Sequence, residues 1–240
     1  MRSLAIVARK GGAGKSTMAI HLAIGGHLRE RFTLLADMDP QASAVEALGH
    51  RKSSGPLVRA TTARKLFVCL EDARKAGIED LVIDTAAGSD AERLEAIRLA
   101  DASLIVVRPT YLDIVAAAPT VSAVRGLGKP AMILLNQAPP TLKGEERPDN
   151  ARAIAALALF GLPVSSAIIR LRRSYQRAPQ LGVSVEESFD DEAAAEMASA
   201  CDTIWAFRQA AGSSLSPGRI RYLHPADIQS GTLVERLVRT

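Results

Sequence analysis

Residues 10–17 read Lys-Gly-Gly-Ala-Gly-Lys-Ser-Thr and follow directly on the apolar run at 4–8. Gly11, Gly12 and Gly14 allow a sharp backbone turn whose N–H groups point inward. A helix starting near Lys15 would aim its positive end at the same point. Ala13 and Thr17 complete the loop, Lys15 adds a fixed positive charge, and the Ser16 hydroxyl can hold Mg²⁺. This is a phosphate cradle of the Walker A type. Lys10, at its front edge, is an extra cation that an ordinary loop of this kind does not need. A chance glycine-rich turn need not have a strand-like run before it and helical apolar spacing, at 17–24, after it.

Two further segments supply carboxylates. Residues 36–43, Ala-Asp-Met-Asp-Pro-Gln-Ala-Ser, place Asp37 and Asp39 at the end of a predicted strand. Ligands of open α/β sheets bind at that edge, although either acid alone could cap a helix. Residues 81–88, Leu-Val-Ile-Asp-Thr-Ala-Ala-Gly, end an apolar strand in Asp84. That is the Walker B pattern, in which a carboxylate holds Mg²⁺.

The elements that must position these groups follow from the apolar runs. Residues 4–8, 33–36, 81–84, 104–107 and 131–135 read as buried strands, with 163–169 as a sixth candidate. Helical spacing covers 18–30, 63–76, 91–100, 114–125 and 150–160, and a last long helix is predicted over 190–210. The alternation predicts an α/β fold: a doubly wound, mostly parallel sheet flanked by helices, with right-handed crossovers. Apolar residues make up 48 % of the 240 and aromatics 4 %, so the core is aliphatic, as a buried parallel sheet requires. Residues 137–149 form a polar, proline-rich loop at the same sheet edge. Residues 1–211 read as one domain, and 212–240 as a linker, opening Gly-Ser-Ser-Leu-Ser-Pro-Gly, with a short appendage.

The bulk numbers exclude some classes. A formal charge of +4 permits an anionic partner without demanding one. Cys69 and Cys201 lack metal-ligand spacing and read as buried thiols in a reducing cytoplasm. No apolar run reaches the ~20 residues of a membrane span. A cleavable leader over residues 1–8 would destroy the cradle, so that run is read as the first strand.

Residues 10–17, 37–41 and 84–85 together resemble the ParA/MinD family of deviant-Walker P-loop ATPases. Residues 107–113, 134–136 and 168–186 resemble more loosely its short ParA-type members, which partition plasmids or position cargo. The resemblance covers about residues 1–210. It implies that ATP and Mg²⁺ are the ligands and that ATP binding drives a homodimer. Lys10 would be the signature lysine reaching the partner's phosphates, with Lys15 on the β- and γ-phosphates and Ser16 on Mg²⁺. Asp39 would position the attacking water, Asp37 and Asp84 would hold the Mg²⁺ hydration shell, and Asn136 would contact adenine. A ParB-like or cargo-adaptor protein would be the activator, and the location cytoplasmic and nucleoid-associated. The segment at 84–88 departs from many relatives in having alanines where they carry prolines. No helix-turn-helix precedes the cradle, so site-specific operator binding is not expected.

Residues 170–177 carry Arg170, Arg172, Arg173 and Arg177 with helix-like spacing. Clustered cations suffice for contact with the DNA backbone without base readout. The plainer reading is a solvated basic face. Residues 233–239 have apolar residues at helical spacing with two arginines. MinD-like relatives use such a helix on membranes, but it more often packs on its own domain, and a membrane partner is not expected. The rival readings are a membrane-associated spatial regulator and a non-hydrolysing nucleotide-binding scaffold.

Overall fold

The computed structural model describes residues 1–213. Six parallel strands form one sheet in the order β3-β2-β4-β1-β5-β6. The strands are β1 (Arg2–Val7), β2 (Thr33–Asp37), β3 (Leu57–Ala60), β4 (Asp80–Asp84), β5 (Ala102–Val107) and β6 (Ala131–Leu135). The helices are α1 (Lys15–Leu28), α2 (Ser43–Gly49), α3 (Ala63–Lys75), α4 (Asp90–Leu99), α5 (Tyr111–Gly126), α6 (Pro148–Ala158), α7 (Ser174–Arg177) and α8 (Asp191–Ser213). Strands β1, β2, β4, β5 and β6 are almost wholly buried, which is why they read as continuous apolar runs. Helices α1, α2 and α8 cover one face through Met18, Leu22, Ala44, Met197 and Ile204. Helices α3 to α6 cover the other through Leu66, Ile97, Val121 and Leu157.

Two expectations are corrected. The sixth strand is β3, not residues 163–169. Leu57–Ala60 sits on the sheet edge and is largely exposed, so no apolar run marks it. Residues 163–169 run beside β6 but make only isolated bridges there, Ile133 to Val164 and Ala138 to Arg170. Pro163 lacks the N–H that a strand ladder uses. The helix expected over 170–177 is a single turn, α7, because Arg170 and Arg172 lie in extended chain. The linker and appendage expected at 212–240, with the apolar spacing at 233–239, fall beyond Ser213 for nearly all their length and lie outside the described residues. Among the described residues no helix is long and apolar enough to cross a membrane. Cys69 and Cys201 are free and buried.

Helix α1 is joined to the C-terminal part of the domain by a buried polar contact. His21 is fully buried, with Nδ1 3.1 Å from Ser184 Oγ and its ring edge-on to Tyr175 at 5.3 Å. Burial pulls its pKa down to about 4 from 6.5, outweighing the Glu187 charge. In the unfolded chain His21 takes a proton near pH 6.5, whereas the folded form resists protonation down to about 4. Stability therefore falls as the pH drops through that window, by about 3 kcal/mol if fully expressed. Thermal melts of the parent and of His21→Gln between pH 7 and 4 should show a shallower loss in the variant; parallel curves would place the acid sensitivity elsewhere.

Candidate functional site

The cradle forms where β1 hands over to α1. Gly12 and Gly14 take positive φ, 73° and 96°, the left-handed region that favours glycine. At Gly14 there is a second constraint, since a Cβ there would stand 2.3 Å from Asn136 Nδ2. That closeness is functional in shape: Asn136 Nδ2 donates to the Ala13 carbonyl at 2.7 Å and Gln137 Nε2 to the Gly12 carbonyl at 2.9 Å. Two side chains from the end of β6 thus hold the loop's carbonyls outward, which leaves its N–H groups facing the other way. Asn136, which the resemblance puts at adenine, also braces the loop. Gln137 was not singled out by sequence; its position beside Asn136 was the available signal.

Lys15 enters the cradle from the first turn of α1 and is 6 % exposed. Burial lowers its pKa, opposed by the charges of Asp84 and Asp39. Asp84 ends β4 and Asp39 follows β2 by two residues, so both stand at the sheet edge where α1 begins. Asp84 ends β4 in register with Ile6 of β1 and Asp37 of β2, so three strand ends converge here. Its two oxygens are buried and have no hydrogen-bond partner. Burial raises its pKa to about 7, with Asp37 and Asp39 adding to the rise and Ser16 and Lys15 opposing it. The Ser16 hydroxyl lies nearby without completing a hydrogen bond to it. An unsatisfied buried carboxylate beside a hydroxyl is a hard oxygen donor set, which fits Mg²⁺. Thr85, next in the chain, is tied down through Oγ1 to the Ile6 carbonyl at 2.7 Å.

Asp37 and Asp39 do different work. Asp37 is 1 % exposed and accepts from the backbone N–H groups of Asp39, Ala44 and Val45 at 3.0, 3.0 and 3.2 Å. It folds the Asp-Met-Asp-Pro-Gln segment and caps α2, whose own preceding residue, Ala42, has no side-chain oxygen. Burial still raises its pKa despite those bonds. Asp39 is half-buried and uses Oδ1 on the Gln41 N–H at 2.9 Å, which fixes its rotamer at the rim.

Lys10 is not in its own cradle. Its Nζ lies 3.7 Å from Asp113 Oδ2, at the start of α5, and its side chain is 37 % exposed. Asp113 also accepts from Arg108 Nε at 3.0 Å and from the Thr110 hydroxyl, while Thr110 Oγ1 caps α5 by accepting the Asp113 N–H at 3.2 Å. Burial would raise the Asp113 pKa, but the Thr110 and Arg108 hydrogen bonds and the Arg108 and Lys10 charges bring it below the usual carboxylate value. Asp113 stays ionised and holds Lys10 at the rim. Sequence reasoning did not assign this acid, because a partner 103 residues away leaves no spacing signal.

The arginine segment divides in two. Arg170 forms a two-pronged pair with Glu146, at 2.9 and 2.6 Å, and that contact holds the Glu146 pKa down to about 2. Arg172 is paired with Glu192 at 2.7 Å and Glu196 at 2.6 Å. Arg173 and Arg177 are exposed and form no ion pair among the described residues.

Residues 4–202 match the family described as CobQ/CobB/MinD/ParA nucleotide binding domain. The chain is 33 % identical over 194 residues to the maintenance of carboxysome distribution protein A of Gloeobacter kilaueensis, covering 77 % of this chain and 83 % of that protein. Among solved structures it is similar to a variant McdA–ATP complex of Cyanothece, with a TM-score of 0.66 at 18 % identity, covering 91 % of this chain and 99 % of that one. It is also similar to the septum site-determining protein MinD of Pyrococcus horikoshii complexed with Mg-ADP, with a TM-score of 0.66 at 16 % identity, covering 85 % and 95 %.

Proposed function

The chain belongs to the CobQ/CobB/MinD/ParA nucleotide-binding family of P-loop ATPases, and from that premise we propose that it is an ATP-dependent dimerising switch that binds DNA non-specifically and positions a cargo. The observation that carries the reading is the pair of lysines: Lys15 buried in the cradle, Lys10 held outside it by Asp113. A cation kept at the rim of its own site is available to the site of a second copy, which makes hydrolysis depend on dimerisation.

In this reading Lys15 and the loop N–H groups bind the β- and γ-phosphates. Ser16 and Asp84 hold Mg²⁺, which when bound neutralises charge developing on the phosphates. Asp39 orients the attacking water, and Asn136, at the end of β6 beside the loop, meets adenine. Asp37 acts on the metal's water shell only through the segment it folds, since its oxygens already accept three backbone N–H groups. A cargo adaptor or ParB-like activator is the partner in this reading, and similarity to a protein that maintains carboxysome distribution supports a cargo.

For DNA, the exposed pair Arg173 and Arg177 carries the reading further than the acid-paired Arg170 and Arg172. Dimerisation doubles the patch, and two linked weak sites hold a long lattice better than one. Arg173→Glu with Arg177→Glu should reduce ATP-dependent binding to random duplex by more than about 10-fold at low salt and leave ATP binding intact. Parent binding should fall steeply with added salt and ignore sequence. A double variant that shifts random DNA like the parent would remove DNA from the reading. Arg172 is a poorer probe, because its loss would leave Glu192 and Glu196 facing each other unpaired.

A further inference from the structure

Among the described residues two arginines are buried, Arg93 and Arg208, each 4 % exposed. Arg208 answers Asp101 at the N-terminal edge of the sheet, 3.0 Å away. Arg93 is at the other edge, in the first turns of α4, directly after the segment that leaves Asp84. Its NH2 pairs with Asp90, one turn back, whose side chain is 63 % exposed. Its NH1 is buried and has no hydrogen-bond partner.

This arrangement is costly as it stands. A surface pair three residues apart on a helix normally keeps its guanidinium in water. Here the guanidinium is turned inward, and one of its donors faces no acceptor, which costs the desolvation of a charged group. Its charge also adds to the lowering of the Lys15 pKa, after burial itself. Two buried cations at one sheet edge call for an anion. The chain supplies Asp84 and Asp39 to Lys15, but the free NH1 of Arg93 has no such partner.

Resting on the nucleotide reading above, we propose that Arg93 is a phosphate-binding residue supplied in cis, whose NH1 engages the terminal phosphate of bound ATP. Two features support a nucleotide phosphate, and the first of them its terminal group. Arg93 stands on the Asp84 side of the cradle, where the metal ligands are, rather than on the loop. The planar fork of arginine suits phosphate oxygens. Lys10 at the rim and Arg93 inside then approach the same phosphate from a partner and from the chain itself.

The test is a pair of affinities rather than turnover. Dissociation constants for ADP and for ATPγS are measured by titration calorimetry with Mg²⁺ on the parent, Arg93→Ala, Arg93→Lys and Arg93→Gln. Arg93→Ala should lose about 10- to 100-fold for ATPγS and less than about 3-fold for ADP. Arg93→Lys should recover part of the loss, because it restores a point charge without the fork. ADP binding doubles as the folding control, and Arg93→Gln covers the case in which the alanine variant fails it. A parent that binds ADP and ATPγS, with variants that lose both equally or neither, overturns this inference alone. A parent that binds neither nucleotide overturns the nucleotide reading and this inference with it.

Discussion

Lys15→Ala is expected to bind neither ATP nor ADP at concentrations that saturate the parent, a loss of about 100-fold or more in affinity. The size follows from where the ammonium sits. It is 6 % exposed on the first turn of α1, so water does not replace it in the cradle. Removing it also leaves Asp84, both of whose oxygens are buried and unpartnered, without a charge that lowers its pKa. Lys10→Ala is the informative contrast. Lys10 touches Asp113 at the rim, and Arg108 and Thr110 still satisfy Asp113 when it is gone. Nucleotide affinity should then stay within about 3-fold while turnover falls by about 10³-fold, the scale of a lost trans-acting cation. Calorimetry with ADP and a phosphate-release assay separate the two. Normal binding by Lys15→Ala would remove the cradle from the site, and normal turnover by Lys10→Ala would remove the trans role.

The sequence was most readable where chemistry and burial both leave periodic marks. The five buried strands are apolar on both faces and stand out as runs, and the cradle needs glycines at fixed places because Gly12 and Gly14 have positive φ. Strand β3 left no such mark, since Leu57–Ala60 buries little. Helix α2 was missed because it is seven residues long and its cap is Asp37, six residues before its start, rather than the residue preceding it. The spacing of Arg170, Arg173 and Arg177 imitates a helix, yet the first lies outside α7, in a backbone bridge with Ala138. What sequence could not supply were partners set by the fold: Asp113 for Lys10, Asn136 for the Ala13 carbonyl, and the inward turn of Arg93. Each depends on strand order, which places the ends of β1, β4, β5 and β6 side by side although they are far apart in the chain.

Asp39→Ala separates catalysis from binding. Asp39 has one oxygen on the Gln41 N–H and is half-exposed at the rim, so it contributes little to holding the phosphates. It follows β2 by two residues, at the sheet edge where α1 begins, and its charge opposes the lowering of the Lys15 pKa. A carboxylate that orients water acts on the transition state more than on the bound ground state. Turnover should therefore fall by ~10²- to 10⁴-fold, the usual reach of a positioned base, while ATP affinity changes by less than about 3-fold. With hydrolysis blocked, the ATP-bound dimer should accumulate, and light scattering with ATP and Mg²⁺ should report twice the monomer mass where the parent gives a mixture. Asp37→Ala gives a different result, because its three backbone contacts fold the segment and cap α2. That variant should lose thermal stability by about 1–3 kcal/mol along with activity. If Asp39→Ala stayed monomeric with normal turnover, the water-positioning role would pass to another group, and the separation drawn here between the two neighbouring acids would not hold.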